Sequence, residues 1–394
     1  MQKREVVVVS GARTAIGDFG GSLKDQAPSD LAGQLVAEVV RRAGIDADSV
    51  GQCVFGNVIH SEPADMYMGR VAALKGGLDE STASLTVNRL CGSGLQAIIT
   101  AAQQIELGIC DTAVAGGAES MSRAPYWLQT TRFGQRMGNG ETIDAVSAAL
   151  HCPMEKVHMG VTAENLAEKY GISRDDQDRL AVESHRCAQR AIEEGRFREQ
   201  ILPIELKSRK GSVLFDTDEH VRLNCELADM AKLKPVFKRD GTVTAGNASG
   251  LNDAAAAVLL MEREKAAAQG HEVLGRLVDY SVVGVKPKYM GIGPVPAIRE
   301  ILARQNLAVG DIDVYEVNEA FAAQALAVAR ELELPADRLN PNGSGVGLGH
   351  PIGATGAVIV VKALYELQRI QGRYAIVSLC IGGGQGIAAL FERH

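Results

Sequence analysis

The sequence predicts an α/β fold built from two similar halves. Apolar runs at residues 6–9 and 254–261 are typical of buried strands, and amphipathic segments between such runs are typical of covering helices. This alternation favours a mostly parallel sheet. The order of elements in residues 50–117 recurs in residues 313–386, weakly at the level of single residues. We therefore expect a duplicated α/β unit with a site between its halves.

The first half begins with the strand at residues 6–9 and a helix over residues 29–43. A strand over residues 50–58 follows, a helix starts near Cys91, and residues 111–117 form another strand. Charged and irregular stretches then surround a helical pair, which predicts an insertion. The predicted domains are residues 1–120 with 247–270, the insertion at 121–246, and residues 271–394.

The second half repeats the pattern of the first. A strand over residues 313–318 ends at an asparagine, as the earlier strand ends at Asn57. A glycine-rich loop with His350 leads into an apolar helix, in the place that Cys91 and its helix occupy. A strand over residues 375–380 is followed by the glycines at 382–384. In the first half, residues 113–115 are followed by Gly116 and Gly117 in the same way.

Composition excludes several classes of protein. Of 394 residues, 46% are hydrophobic and 23% charged, which is ordinary for a globular protein with a large core. The net charge of -7 argues against a general nucleic-acid binder, and no apolar run is long enough to span a membrane. The seven cysteines are scattered without a Cys-x-x-Cys pair, which predicts reduced thiols in the cytoplasm and neither disulfides nor a metal site.

Cys91 is the candidate nucleophile. It precedes Gly-Ser-Gly and a helix whose apolar face includes Leu95 and Ile99, so it lies near a helix N-terminus, where a thiolate is favoured. The small residues that follow leave room for another molecule to approach. A lone cysteine here is more often a buried structural thiol, so other motifs must decide between the two interpretations.

Three motifs in the second half support the catalytic interpretation. Asn318 follows a strand in Asn-Glu-Ala-Phe, His350 lies in Gly-His-Pro-Ile-Gly, and Cys380 ends a strand in Cys-Ile-Gly-Gly-Gly. Each alone has a structural explanation: a turn residue, a satisfied histidine and a buried thiol. Together they fall where the carboxyl ends of strands collect reactive groups in α/β sheets. No Gly-x-Ser-x-Gly or P-loop motif competes with them.

These motifs, with Asn-Arg-Leu-Cys-Gly-Ser-Gly around Cys91, resemble the thiolase family from end to end. The resemblance is greatest to bacterial acetyl-CoA C-acetyltransferases (β-ketothiolases), of the broad-specificity type that supplies polyhydroxyalkanoate synthesis. It implies the thiolase fold: two duplicated mixed-sheet α/β halves packed face to face in five α-β-α-β-α layers, with a loop-domain insertion. The implied reaction is reversible Claisen condensation of two short acyl-CoA molecules through an acyl-Cys91 intermediate. The alternative within the family is a degradative thiolase for longer 3-ketoacyl-CoAs.

Two rivals stay open at this point. A decarboxylating condensing enzyme on the same fold would consume malonyl-CoA and release CO₂. A catalytically silent acyl-CoA-binding homologue would bind CoA without forming an acyl-cysteine, and the presence of Cys91, His350 and Cys380 argues against it.

The resemblance also implies roles for individual residues. Cys91 would carry the acyl group, His350 would activate it, and Cys380 would remove the α-proton of the second substrate. His350 and a water held by Asn318 would form one oxyanion hole, and the backbone N–H groups of Cys91 and Gly382 the other.

Coenzyme A contacts are implied as well, with CoA thioesters as substrates and no bound metal or redox cofactor. Ser249 would touch the pantetheine arm and Arg222 would lie near the adenine. The remaining residues of the pantetheine and acyl tunnel would be His158, Met159, Met290, Ala320 and Phe321. Family members are usually tetramers of tight dimers, and residues 123–140 resemble the loop that joins the dimers. No nucleic acid or membrane partner is implied.

Overall fold

A computed structural model describes residues 4–208 and 211–393. The strands are β1 (Val6–Arg13), β2 (Gly17–Asp18), β3 (Gln52–Gly56), β4 (Ala83–Val87), β5 (Thr112–Ser120), β6 (Tyr126–Leu128), β7 (Thr142–Asp144), β8 (His151–Cys152), β9 (Val157–His158), β10 (Ile204–Ser208), β11 (Gly211–Phe215), β12 (Asn252–Glu262), β13 (Gly275–Gly284), β14 (Val314–Val317), β15 (Tyr374–Ile381) and β16 (Gln385–Glu392). The helices are α1 (Pro28–Ala43), α2 (Met68–Lys75), α3 (Ser93–Glu106), α4 (Ala145–Ala149), α5 (Met159–Tyr170), α6 (Arg174–Glu193), α7 (Leu227–Ala231), α8 (Arg263–Ala268), α9 (Pro294–Gln305), α10 (Ala322–Leu332), α11 (Gly345–Leu348) and α12 (Thr355–Ile370).

The main sheet is mixed, so the expectation of a mostly parallel sheet is wrong. Its order is β14-β15-β16-β13-β1-β12-β5-β3-β4, with β2 paired to β12. Only β3 with β4, β3 with β5, and β14 with β15 run parallel among these pairs. The alternation of strands and helices predicted parallel pairing wrongly, because β12 enters the sheet after the insertion and lies antiparallel between β1 and β5.

The duplication predicted from the sequence is visible in the strand order. In the first half β3 is parallel to β5, and β5, β12 and β1 follow as antiparallel neighbours. In the second half β14 is parallel to β15, and β15, β16 and β13 follow as antiparallel neighbours. The two halves also join edge to edge, where three residues at the start of β1 pair with the start of β13. This edge contact was not expected from the sequence.

Helices α3 and α12 form the layer between the halves. Helix α3 packs on β3 and β5, α12 packs on β12 and β15, and the two helices pack on each other. Their contact is backbone to backbone, because a Cβ at Gly356 would overlap the amide nitrogen of Leu95. Helices α1 and α2 cover the outer face of the first half, and α9 covers that of the second. The absence of a side chain at Gly356, in the first turn of α12, therefore allows the two halves to approach closely near the site.

The segment between β5 and β12 holds the short hairpins and the helical pair. Helices α5 and α6 match the pair predicted at residues 161–194, and α6 begins at a capping box formed by Ser173 and Asp176. Helix α5 packs on α10, and α6 packs on α10 and α11. The segment thus lies against elements of the second half that border the site.

Across residues 4–208 and 211–393, no helix combines the length and the apolar character needed to cross a membrane.

Candidate active site

Most of the residues singled out from the sequence line one cavity between the two halves. Its lining residues are Leu90, Cys91, Ala149, Leu150, Met159, Ser249, Met290, Ala320, Phe321, His350, Ile352, Cys380 and Gly382. Apart from Cys91, His350, Cys380 and Ser249, the side chains are apolar or absent. A narrow, mostly apolar space with a few polar groups at its base suits the arm of a thioester.

A tight turn between β4 and α3 presents Cys91 to the cavity. Leu90 adopts a left-handed backbone conformation (φ 47°), which is costly for a branched side chain. The buried hydroxyl of Ser93 holds this turn: it accepts the Arg89 N–H (2.9 Å) and donates to the Leu90 carbonyl (2.7 Å). Helix α3 begins at Ser93, so Cys91 lies just before a helix N-terminus, as predicted.

The surroundings of Cys91 favour its neutral thiol form. Removal from water raises the pKa of Cys91 to about 11, and the charge of Glu119 acts in the same direction. Backbone hydrogen bonds from Gly382 and from Cys91 itself oppose this rise in pKa. Gly382 therefore lies beside Cys91 in the cavity lining.

Two hydrogen bonds hold His350 in position. Its backbone N–H donates to Asn252 Oδ1 (2.9 Å), and its Nδ1 lies 2.8 Å from Thr355 Oγ1. The Thr355 hydroxyl itself donates to the Pro351 carbonyl (2.9 Å), so it accepts from an Nδ1–H group. Nε2 is then the unprotonated ring nitrogen. Burial lowers the pKa of His350 to about 4, so the ring is neutral near pH 7 and can accept a proton.

Asn318 and Cys380 complete the group on the side of the second half. Asn318 is fully buried after β14, and its Nδ2 lies 3.4 Å from both ring nitrogens of His350. Equal distances mean that the amide packs against the face of the imidazole. Its Oδ1 atom has no hydrogen-bond partner among the described residues. Burial raises the pKa of Cys380, and so does the charge of Cys91.

The residues expected to touch coenzyme A divide into three sets. Ser249, Met159, Met290, Ala320 and Phe321 line the cavity. His158 lies beside it: its ring stacks on Phe237 at 4.6 Å, and Phe237 meets Phe321 edge to face. Arg222 is exposed and is not part of the lining; its backbone N–H donates to His185.

Some lining residues were not predicted. Leu90 and Ile352 adjoin the Cys91 and His350 motifs, and their position in those motifs is a signal that could have found them. Ala149 and Leu150 lie at the end of α4, in the irregular part of the insertion, where the sequence carries no comparable signal. Glu119, Asn252 and Thr355 lie outside the lining and were missed, because the sequence does not show which hydrogen bonds their side chains make.

Proton transfer and acyl transfer both fit this arrangement. A neutral imidazole and two thiols share one cavity, and the backbone of Gly382 lines it beside them. Within the described residues, no group of three or more His, Cys, Asp or Glu side chains is placed to hold a metal ion.

Family models match almost the whole chain. One, described as the thiolase N-terminal domain, matches residues 6–264, and another, described as the thiolase C-terminal domain, matches residues 271–393. The chain belongs to the thiolase family. The thiolase fold predicted from the motifs is thereby confirmed, and the protein is an enzyme of this family.

Individual thiolases resemble the chain over its full length. The beta-ketothiolase BktB of Cupriavidus necator is 62% identical over 391 residues, with 99% of each chain covered. The acetyl-CoA acetyltransferase of Pseudomonas aeruginosa is 46% identical and covers 99% of this chain and 100% of its own. The crystal structure of human mitochondrial 3-ketoacyl-CoA thiolase in complex with CoA has a TM-score of 0.96 at 40% identity, covering 99% of this chain and 98% of that chain.

Proposed function

We propose that the protein catalyses reversible Claisen condensation of two acyl-CoA molecules, with Cys91 as the acyl carrier. The observation that carries this proposal is the meeting of Cys91, His350 and Cys380 in one cavity, which Gly382 also lines. A neutral imidazole beside a neutral thiol is the protonation state that general-base activation requires.

Acylation of Cys91 is the first half of the reaction. His350 Nε2 takes the thiol proton while the sulfur attacks the thioester carbonyl. The backbone N–H groups of Cys91 and Gly382 stabilise the negative oxygen of the tetrahedral intermediate. The C–S bond to CoA breaks, and the departing CoA sulfur takes the proton of Cys380, leaving a thiolate at Cys380. Because burial raises the pKa of Cys380, that thiolate is a strong base.

Carbon–carbon bond formation is the second half. The Cys380 thiolate removes the α-proton of a second acyl-CoA, and His350 with the Asn318 amide stabilises the enolate oxygen, directly or through a water. The carbanion attacks the acyl-Cys91 carbonyl, and the C–S bond to Cys91 breaks. Cys91 recovers its proton from His350, and 3-ketoacyl-CoA leaves.

We infer that acetyl-CoA and other short acyl-CoAs are the substrates, since the beta-ketothiolase and acetyl-CoA acetyltransferase named above are close relatives. Residues 121–246 would form the loop domain that holds CoA, with Ser249 on the pantetheine arm and Arg222 near the adenine. Exposed apolar side chains on β6 and in the segment that follows it support a homotetramer joined through this loop: Tyr126, Trp127, Leu128, Phe133 and Met137. A cytoplasmic location and a function without a resident cofactor remain predictions.

The test is CoA-dependent cleavage of 3-ketoacyl-CoAs of about four to eight carbons by wild type and by Cys91→Ser. Turnover of the four- and five-carbon substrates, lost in the variant, supports the proposal, because a serine hydroxyl is a far weaker nucleophile than a thiol. Preference for the longest chains would move the enzyme to the degradative branch. CoA binding without cleavage at any length would contradict the proposal.

A further inference from the structure

A buried carboxylate links the His350 loop to the half of the molecule that carries Cys91. Glu119 lies near the end of β5 and is fully buried. Its Oε1 atom accepts from Asn57 Nδ2 (3.2 Å) and from the Ile59 N–H (3.1 Å). Its Oε2 atom accepts from the Val58 N–H (3.1 Å) and from the Gly353 N–H (2.8 Å). Gly353 stands three residues after His350, so one carboxylate ties the loop after β3 to the loop of the base.

The contact leaves no space for a side chain on the loop. A Cβ at Gly353 would overlap Glu119 Oε2, and a Cβ at Gly117 would overlap the Gly353 carbonyl. A Cβ at Gly94, in the first turn of α3, would come within 3.2 Å of the same carbonyl. The loop therefore rests directly on backbone of β5 and α3, and Glu119 is the polar group at the centre of that contact.

We propose that Glu119 is a positioning residue for His350: it holds the His350–Gly353 loop against β5 and thereby aligns the base with Cys91. The proposal depends on the assignment of His350 as the base that activates Cys91. Glu119 does not line the cavity and acts only through the loop.

The chemistry of the site requires a carboxylate there. All four recorded partners of Glu119 are N–H donors, two to each oxygen, so an amide in its place would turn an NH₂ group toward two donors. Burial raises the pKa of Glu119, and the three backbone N–H bonds oppose that rise by stabilising the ionised carboxylate. A buried carboxylate charge is stabilised by its hydrogen bonds, and removing them costs free energy of folding.

The experiment compares Glu119→Gln with Asp65→Asn in the full-length protein. Asp65 is a matched control: it is fully buried and accepts from the N–H groups of Ser61 and Glu62, so its recorded bonds stay within one short segment. The readouts are kcat and KM for thiolysis of acetoacetyl-CoA, and the thermal midpoint. We expect Glu119→Gln to lower kcat at least tenfold with KM within threefold, and Asp65→Asn to keep kcat within twofold.

A double mutant shows whether the effect passes through His350. In a His350→Asn background, Glu119→Gln should change the residual kcat less than twofold. If Glu119→Gln does not fold, Gly353→Ala tests the same contact from the other side and should lower kcat with KM unchanged. A folded Glu119→Gln or Gly353→Ala with wild-type kcat overturns the inference, and so does an undiminished effect in the His350→Asn background.

The controls separate this inference from the proposed function. Wild-type protein without thiolysis would contradict the proposed function itself. Full activity in His350→Asn alone would contradict the assignment of the base, and with it the inference on Glu119.

Discussion

Replacing Thr355 by valine removes one hydrogen bond from the candidate base and leaves its shape almost unchanged. The Thr355 hydroxyl lies 2.8 Å from His350 Nδ1 and is the acceptor that holds the proton on that nitrogen. In the variant the buried Nδ1–H has no acceptor, which costs about 1–3 kcal/mol. The ring can relieve this by turning or by moving its proton to Nε2, and either change removes the base from Cys91.

The expected loss follows from that cost. If 1–3 kcal/mol of the penalty appears in the transition state, kcat falls by about 5- to 150-fold. KM should stay within threefold, because Thr355 does not line the cavity. The assay is the single-turnover rate of Cys91 acylation by acetyl-CoA, together with steady-state thiolysis of acetoacetyl-CoA.

Thr355→Ser is the matched control. It keeps the hydroxyl and should retain kcat within about threefold of wild type, with the small loss due to the missing methyl group. A folded Thr355→Val with kcat within twofold of wild type would refute the reasoning on the His350 tautomer. A loss of equal size in Thr355→Ser would point to packing at the start of α12 instead.

Three further predictions concern stability. Burial lowers the pKa of His350 from 6.5 to about 4, so between these pH values the unfolded chain binds a proton that the folded protein does not. The free energy of unfolding therefore falls by about 3 kcal/mol as pH falls through this range. Urea titrations at pH 7 and 4.5 should show that His350→Asn removes this contribution, and a variant with the wild-type difference in stability between the two pH values would contradict it. Lys362→Met leaves buried Glu316 without its ion-pair partner and should lower the free energy of unfolding by about 3–5 kcal/mol, as measured by urea denaturation. Adding Glu316→Leu should largely restore the stability, and a Lys362→Met variant as stable as wild type would contradict this prediction. Gly356→Ala places a Cβ against the backbone of Leu95 and should lower the free energy of unfolding, measured by calorimetry, by at least about 1–3 kcal/mol. An unchanged melting temperature would contradict this and show that α3 and α12 can move apart to accept the methyl group.

The sequence placed Cys91 just before a helix because the signal for that helix is local. The helix after Cys91 has a continuous apolar face, and the structure begins that helix at Ser93 and buries Leu95 and Ile99. The sequence also predicted the strand ends near Asn318 and Cys380, because a short run of buried residues leads up to each of them. Local pattern and fold agree at these positions, so sequence reasoning succeeds there.

Long-range pairing was beyond the sequence. The strand at residues 254–261 was predicted, but its direction depends on where the chain returns after a long insertion, and the alternation of elements does not show that. In the sequence Glu119 is a single polar residue near the end of a buried strand. Its hydrogen bond with Gly353 depends on the folded structure and cannot be predicted from the residues around it. Thr355 likewise reads as the first residue of a helix, and its contact with His350 depends on a loop conformation.

Direct detection of an acyl-enzyme tests the central claim. The protein is incubated with acetyl-CoA alone, quenched in acid and digested, and the mass of the peptide that contains Cys91 is measured for wild type and for Cys91→Ala. We predict the added mass of one acetyl group on Cys91 in wild type and none on that peptide in the variant, and the adduct should disappear when free CoA is added. An acetyl group on Cys380 instead of Cys91, or no adduct in protein that turns over acetoacetyl-CoA, would contradict the account.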